Sequence, residues 1–170
     1  QTTGTIYDDG SNGSENDLPQ VSITANPNTV AEGDTNETEA LTYTVSLRNS
    51  DDSADVTSAK ATTVNIALSG SANNDGTDYV VTDADGNTIT PDGNGEFTLT
   101  IPADTSTFSF KVDPVGDTTF EGAESVIASI TSASTTDASD NLVAITPITD
   151  QRQTTGTIYD DGSNGSENDL

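Results

Sequence analysis

The chain has 170 residues, 29 of them acidic and 4 basic, for a net charge of −25. So few basic side chains leave nothing to neutralise a phosphate backbone, which excludes nucleic-acid binding, and the absence of Cys and His removes zinc sites, thiol nucleophiles, imidazole bases and disulfides together. No stretch approaches 18 apolar residues, so no membrane insertion is expected, and without a basic and apolar leader the chain reads as a mature internal fragment. Leu, Ile, Val and Phe make up about 19% of the residues, a share found in disordered chains. Hydrophobic periodicity therefore has to decide between order and disorder.

In chain order, the first feature is a repeat. Residues 1–18, QTTGTIYDDGSNGSENDL, recur unchanged at 153–170. The period is the size of a whole domain, so the expected organisation is beads on a string rather than a continuous solenoid. Residues 1–8 read as the last strand of a preceding repeat and 9–18 as a linker rich in turn-forming and acidic residues. The domain itself spans 19–161, and 162–170 lead to the next repeat. Within the domain, Val21, Ile23 and Ala25 alternate with polar neighbours, as do Leu41, Tyr43, Val45 and Leu47. Val64, Ile66 and Leu68 follow, then Phe97, Leu99 and Ile101, then Phe108, Phe110 and Val112. The stretch Glu121–Ile130 reads as a strand entered through an acidic turn, with Val126, Ala128 and Ile130 on one face. Ile158, between Thr157 and Tyr159, closes the series. Period-two alternation separated by Gly, Asp and Asn predicts an all-β antiparallel β-sandwich of about seven strands. The polar segments 48–60 and 132–141 are expected to be long mobile loops.

The acids gather at strand ends. Glu32 follows Val30-Ala31, Asp78 precedes Tyr79-Val80-Val81, Asp113 and Asp117 follow FSFKV, Glu121 and Glu124 lie in FEGAE, and Asp160-Asp161 follow TGTIY. Strands ending at one pole of a sandwich would bring these carboxylates together, where they repel unless cations join them. All-oxygen ligands in loops suit Ca²⁺ better than Mg²⁺, which keeps more of its waters. The bland alternative is a solvated acidic surface. Asp83-x-Asp85-x-Asn87 imitates the start of an EF-hand loop, but Thr88 stands where glycine is needed, and a hairpin turn on Asp85-Gly86 is the better reading.

Four motifs in order, Val30-Ala31-Glu32, GTDY at 76–79, D-x-x-F-E-x-x-E at 117–124 and GTIYDD at 156–161, resemble the Calx-β domain. That family was first described in sodium–calcium exchangers and recurs in tandem in giant bacterial surface adhesins of the repeats-in-toxin class. The resemblance covers roughly 19–161. It implies a Ca²⁺ cluster held by Glu32, Asp78, Asp117, Glu121, Glu124, Asp160 and Asp161, with Asp113 as a possible substitute. Gly116 and Gly162 stand where the family often has further acids, which implies fewer or weaker ions.

Catalysis has little support. Paired carboxylates could hydrolyse glycosides, but such sites use aromatic platforms, and this chain has no Trp and only four Tyr and four Phe. The expected function is a non-enzymatic extender repeat of a large extracellular bacterial adhesin or biofilm protein, stiffened by Ca²⁺ at the loops and linkers. Its partners are then neighbouring identical repeats, with no small-molecule substrate. Two alternatives stay open: a subunit of an extracellular filament joined by strand addition, and a glycan- or ligand-binding adhesion module.

Overall fold

The computed structural model describes residues 18–32, 39–116, 121–137 and 139–159. The tail strand 1–8, both linkers apart from Leu18, and the acids Asp117, Asp160 and Asp161 lie outside the described residues. Eleven strands follow one another: β1 Gln20–Ala25, β2 Thr29–Ala31, β3 Leu41–Arg48, β4 Thr62–Gly70, β5 Tyr79–Asp83, β6 Thr88–Ile89, β7 Glu96–Ile101, β8 Thr107–Pro114, β9 Glu124–Thr136, β10 Leu142–Pro147 and β11 Gln153–Tyr159. Among the described residues there is no helix, and hence none long and apolar enough to cross a membrane.

The chain is an all-β sandwich. One sheet runs β1-β3-β8-β5-β6. The other runs β7-β4-β9, with β10 and β11 sharing the far edge of β9 and β2 beside β11. The sheets are stitched where β1 pairs with β10, Gln20 opposite Thr146. Their inner faces form a single core: Leu41, Tyr43, Val45, Leu47, Phe110 and Val112 meet Val64, Ile66, Leu99, Ile101, Val126 and Ala128. Tyr43 stacks on Phe110 at 5.0 Å and Phe97 meets Phe110 edge-on at 5.2 Å, which locks the sheets in register. The Tyr43 hydroxyl donates across the core to the Val126 carbonyl at 2.8 Å, and burial pushes its pKa up.

Three expectations change. Among the described residues there are eleven strands rather than about seven, since β2 and β6 are very short and β10 buries only Ile145 fully, so its alternation is faint. Two ladders, β1–β10 and β2–β11, are parallel rather than antiparallel. The segment 132–141 is not a long loop. Its first half continues β9, where small Ala133 and Thr135 face inward, and the Asp137–Asn141 turn leads straight into β10. Segment 48–60 does lack regular strands, but Arg48 pins it by ion pairs to Asp52 at 2.8 Å and Asp55 at 2.5 Å, and Gln151 also donates to Asp52. The 83–87 stretch is the expected hairpin: Asp83 Oδ1 accepts from the Asp85 and Asn87 amides, both at 2.9 Å, and Gly86 takes the positive φ of the turn.

These registers give the domain two distinct ends. The chain enters at Gln20, beside Arg48 at the end of β3. It leaves at Tyr159, where β2 and β11 end, β9 and β5 begin and β8 stops at Pro114. Entrance and exit thus lie toward opposite poles.

Candidate metal centre

The exit pole owes its shape to two glycines and a serine clasp. Gly70, at φ +134°, ends β4 hard against β9, where an added Cβ would lie 2.0 Å from the Ser125 carbonyl oxygen. Only glycine fits there. The chain then folds over the start of β9. The Ser71 amide donates to the Ser125 carbonyl at 3.1 Å, and the Ser125 amide donates back to Ser71 Oγ at 2.9 Å. This clasp carries the 71–78 loop onto Glu124. Gly122, at φ +81°, bends the chain between Glu121 and Glu124.

Asp78 closes that loop. It is only 6% exposed. Its Oδ2 accepts from the Asn73 amide at 2.6 Å and its Oδ1 from Thr77 Oγ1 at 2.9 Å, while its carbonyl accepts from the Val115 amide at 2.9 Å. Both carboxylate oxygens are thereby aimed from a fixed base. Carboxylate oxygens of Asp78, Glu121 and Glu124 come within 4.8 Å of one another, with Asp78 buried, Glu124 half-buried and Glu121 exposed. Burial, then the neighbouring Asp78 charge and more weakly Glu121, raises the Glu124 pKa above the ordinary carboxylate range. Tyr79 is pushed up to about 12 by burial and by the Asp78 charge.

Of the eight acids singled out in the sequence, the structure brings these three together. Glu32 stands at the same pole, at the end of β2, where its amide donates to the Tyr159 carbonyl at 2.7 Å, but its carboxylate is not part of the trio. Asp113 is elsewhere. It pairs with exposed Val80, and its Oδ2 accepts from Thr82 Oγ1 at 2.6 Å. Strand alternation carries the signal, because buried Val112 beside it turns Asp113 to the outer face. Asp117, Asp160 and Asp161 lie outside the described residues. What the sequence reading overlooked is the support: Asn73, Thr77 and the Ser71–Ser125 clasp. The Gly-Thr-Asp run held part of that signal, since a threonine beside an aspartate can orient it.

An all-oxygen trio of carboxylates, one of them pre-oriented and buried, fits a hard divalent cation and not a soft metal. No family profile matches the chain, and no curated protein matches it in sequence. Solved structures do match. The apo-form Calx CBD1 domain superposes with a TM-score of 0.51 at 17% identity, over 84% of this chain and 98% of that one. The fold is that of a Calx-β domain. CBD12 from CALX1.2 gives a TM-score of 0.50 at 16% identity, over 82% of this chain and 44% of that one. A CBD12 of CALX1.1 described as a calcium binding domain gives 0.49 at 18% identity, over 81% and 44%. This chain covers nearly all of the CBD1 domain and under half of the two longer CBD12 chains.

Proposed function

We propose that this chain is a non-enzymatic extender bead of an extracellular bacterial adhesin, one repeat of a tandem array whose joints are stiffened by Ca²⁺. The observation that carries the reading is the position of the carboxylate trio. Asp78, Glu121 and Glu124 converge at the pole where the chain leaves the sandwich, opposite the pole where it enters. A bead threaded from pole to pole adds length with every copy, and the 18-residue repetition supplies the copies. The acids that matter then sit at each junction.

Asp78, Glu121 and Glu124 would hold the ion, joined by Glu32 and by the acids Asp117, Asp160 and Asp161 that the Calx-β resemblance adds. The ion supplies positive charge where carboxylates crowd. The protein's own part is positioning. Asn73 and Thr77 fix Asp78, the Ser71–Ser125 clasp holds the loop against β9, and Gly122 lets Glu121 turn back toward Glu124. Extracellular Ca²⁺ at millimolar level matches weak modules with dissociation constants of about 10⁻⁴–10⁻³ M.

Calorimetry tests the assignment. At ~10 mM free Ca²⁺ such a site stabilises the folded state by about 1.5–2.5 kcal/mol, a rise of several degrees in melting temperature over chelator. Mg²⁺ should produce a smaller rise, and Glu124→Gln should remove most of the Ca²⁺ response while Asp85→Asn leaves it intact. A melting temperature indifferent to Ca²⁺ would sink the proposal.

A further inference from the structure

A strand at the edge of a sheet presents unpaired backbone groups unless the fold protects it. Two edges here are protected. β6 is two residues long with Pro91 close behind, and β2 is three residues long between Pro27 and Glu32. β7 has neither defence. It is six residues long, holds no Lys or Pro, and follows β4 without a bulge from Ile101 opposite Thr62 to Glu96 opposite Ala67. Among the described residues it has no second partner strand. The ladder fixes which of its groups are free. The Leu68 amide donates to the Gly95 carbonyl at 2.9 Å, so Gly95 and, by alternation, Phe97, Leu99 and Ile101 direct their backbone groups toward β4. Glu96, Thr98 and Thr100 direct theirs away. Both groups of Glu96 are engaged by Asp92, its amide donating to Asp92 Oδ1 and its carbonyl accepting from the Asp92 amide, each at 2.9 Å. Pro102 has no amide, and its carbonyl accepts from the Thr105 amide at 3.3 Å. Thr98 and Thr100 each keep an amide and a carbonyl with no partner among the described residues.

We propose that β7 is a docking edge for a second copy of this chain, the two β7 strands pairing antiparallel about a two-fold axis through Leu99. The free stretch chooses that register. Thr98 faces the second copy's Thr100 and exchanges both backbone bonds with it, and symmetry repeats the exchange. Setting Thr98 opposite itself would halve the bonds, because Thr100 would then meet the engaged backbone of Glu96, and setting Thr100 opposite itself would bring Thr98 to Pro102. In the favoured register Phe97 faces Ile101 and Glu96 faces Pro102, so no acid meets an acid along the strand. The outer face that the pair would extend is neutral too. Thr63, Asn65 and Ala67 of β4 and Ser132 and Ser134 of β9 carry no charge. Thr98 Oγ1 donates to Asn65 Oδ1 and Asn65 Nδ2 donates to Ser132 Oγ, both at 2.7 Å, which holds the edge flat against its neighbours. In a chain of net charge −25, this is an edge that a like-charged copy can approach, whereas a basic partner would find few acids on it. The pairing needs no ion and does not rest on the extender reading. Repeated along a tandem array, weak pairs of this kind would add up to side-by-side association of stalks.

Sedimentation of the full chain tests this, with chelator present throughout so that the result is independent of the metal centre. The mass should rise with concentration from 17.5 kDa toward twice that value, and added NaCl should promote the rise by screening like charges. Thr98→Pro removes one donor from each copy without touching the β4 ladder. Folded by circular dichroism, it should associate about thirtyfold more weakly. Since the chain has no cysteine, disulfides can read the register. Thr98→Cys/Thr100→Cys sets thiols across the axis on Cα atoms about 5.5 Å apart, within disulfide reach. It should oxidise to a covalent dimer, whereas Thr24→Cys, exposed on the other sheet, should stay single. A parent chain that holds the mass of one copy up to about 1 mM overturns the proposal, as does a cysteine pair that cross-links no faster than Thr24→Cys. Folded Thr98→Pro that associates as tightly as the parent overturns it as well, and if that variant does not fold, the cysteine pair decides.

Discussion

Glu124 behaves oppositely to the other acids whose environment shifts them. Asp83, Asp92 and Asp137 each accept hydrogen bonds within their own turns, chiefly from Asn87, Glu96 and Asn141, and their pKa values are lowered. Their stabilising effect is present above the unfolded carboxylate range and is lost as pH falls through the folded values. Glu124, raised first by burial and then by Asp78, contributes stability that is full below its unfolded pKa and is lost as pH rises through its folded value. With the cation chelated, Glu124→Gln should therefore gain on the parent in melting temperature as pH climbs from about 4 to about 7. Added Ca²⁺ should reverse the comparison at the upper end, because the parent then binds the ion. A melting-temperature difference that stays flat across this range would show that Glu124 is not crowded. At this scale the sequence was informative where an acid touches the end of a strand. GTDY and FEGAE singled out Asp78, Glu121 and Glu124, whose carboxylate oxygens come within 4.8 Å of one another. It was misleading at Asp113, because nearness to a strand end was weighed ahead of the alternation that turns that side chain outward.

At the level of elements, the strands with large alternating side chains were legible and the others were not. β3, β4, β7 and β8 announce themselves with Leu, Val, Ile and Phe every second residue. β10 does not, because Leu142 is 77% exposed and Ile145 alone of its residues is buried. The second half of β9 was mistaken for loop because serine and threonine fill its outward positions and Ala133 is its only buried apolar residue. Nothing in the sequence foretold that β9 would serve β11 along its first half and β10 along its second. The joint between β4 and β9 organises the candidate site, and Gly70 is its critical position. Gly70→Ala adds a Cβ 2.0 Å from the Ser125 carbonyl oxygen at a φ that alanine rarely adopts. The change should cost more than about 1 kcal/mol in urea unfolding. It should also blunt the Ca²⁺ response, since the clasp that delivers Asp78 to Glu124 must open. Gly122→Ala, which meets nothing within 4 Å, carries only the penalty of its positive φ and should cost less. Equal losses from the two substitutions would remove the clasp from the argument.

For the whole molecule, the decisive quantity is charge at the joint. Residues 19–170 hold 25 of the 29 acids and all four bases, for a charge of −21. Two of those bases, Arg48 and Lys60, are already paired with aspartates of their own domain, Asp52 and Asp55 for the first and Asp140 for the second. Little positive charge is left to draw successive beads together, so a chelated array should behave as a self-repelling flexible chain. A bound divalent ion changes this locally, whereas salt changes it everywhere. Sodium chloride merely shortens the reach of repulsion, to about 8 Å at physiological ionic strength. That lets the joint bend more freely and compacts the chain. On the proposed reading, calcium held at the exit pole would tie the loop acids to the next bead, which would fix the joint and extend the chain. The two outcomes have opposite signs in X-ray scattering from a chain of two repeats. At matched ionic strength, millimolar Ca²⁺ should raise the maximum dimension and sharpen the inter-bead peak of the pair-distance distribution, while NaCl should lower the first and blur the second. Glu124→Gln in both repeats should convert the calcium response into the sodium one. If Ca²⁺ compacts the unsubstituted pair just as NaCl does, the carboxylates at the exit pole screen but do not clamp, and the stiffened stalk is the wrong picture.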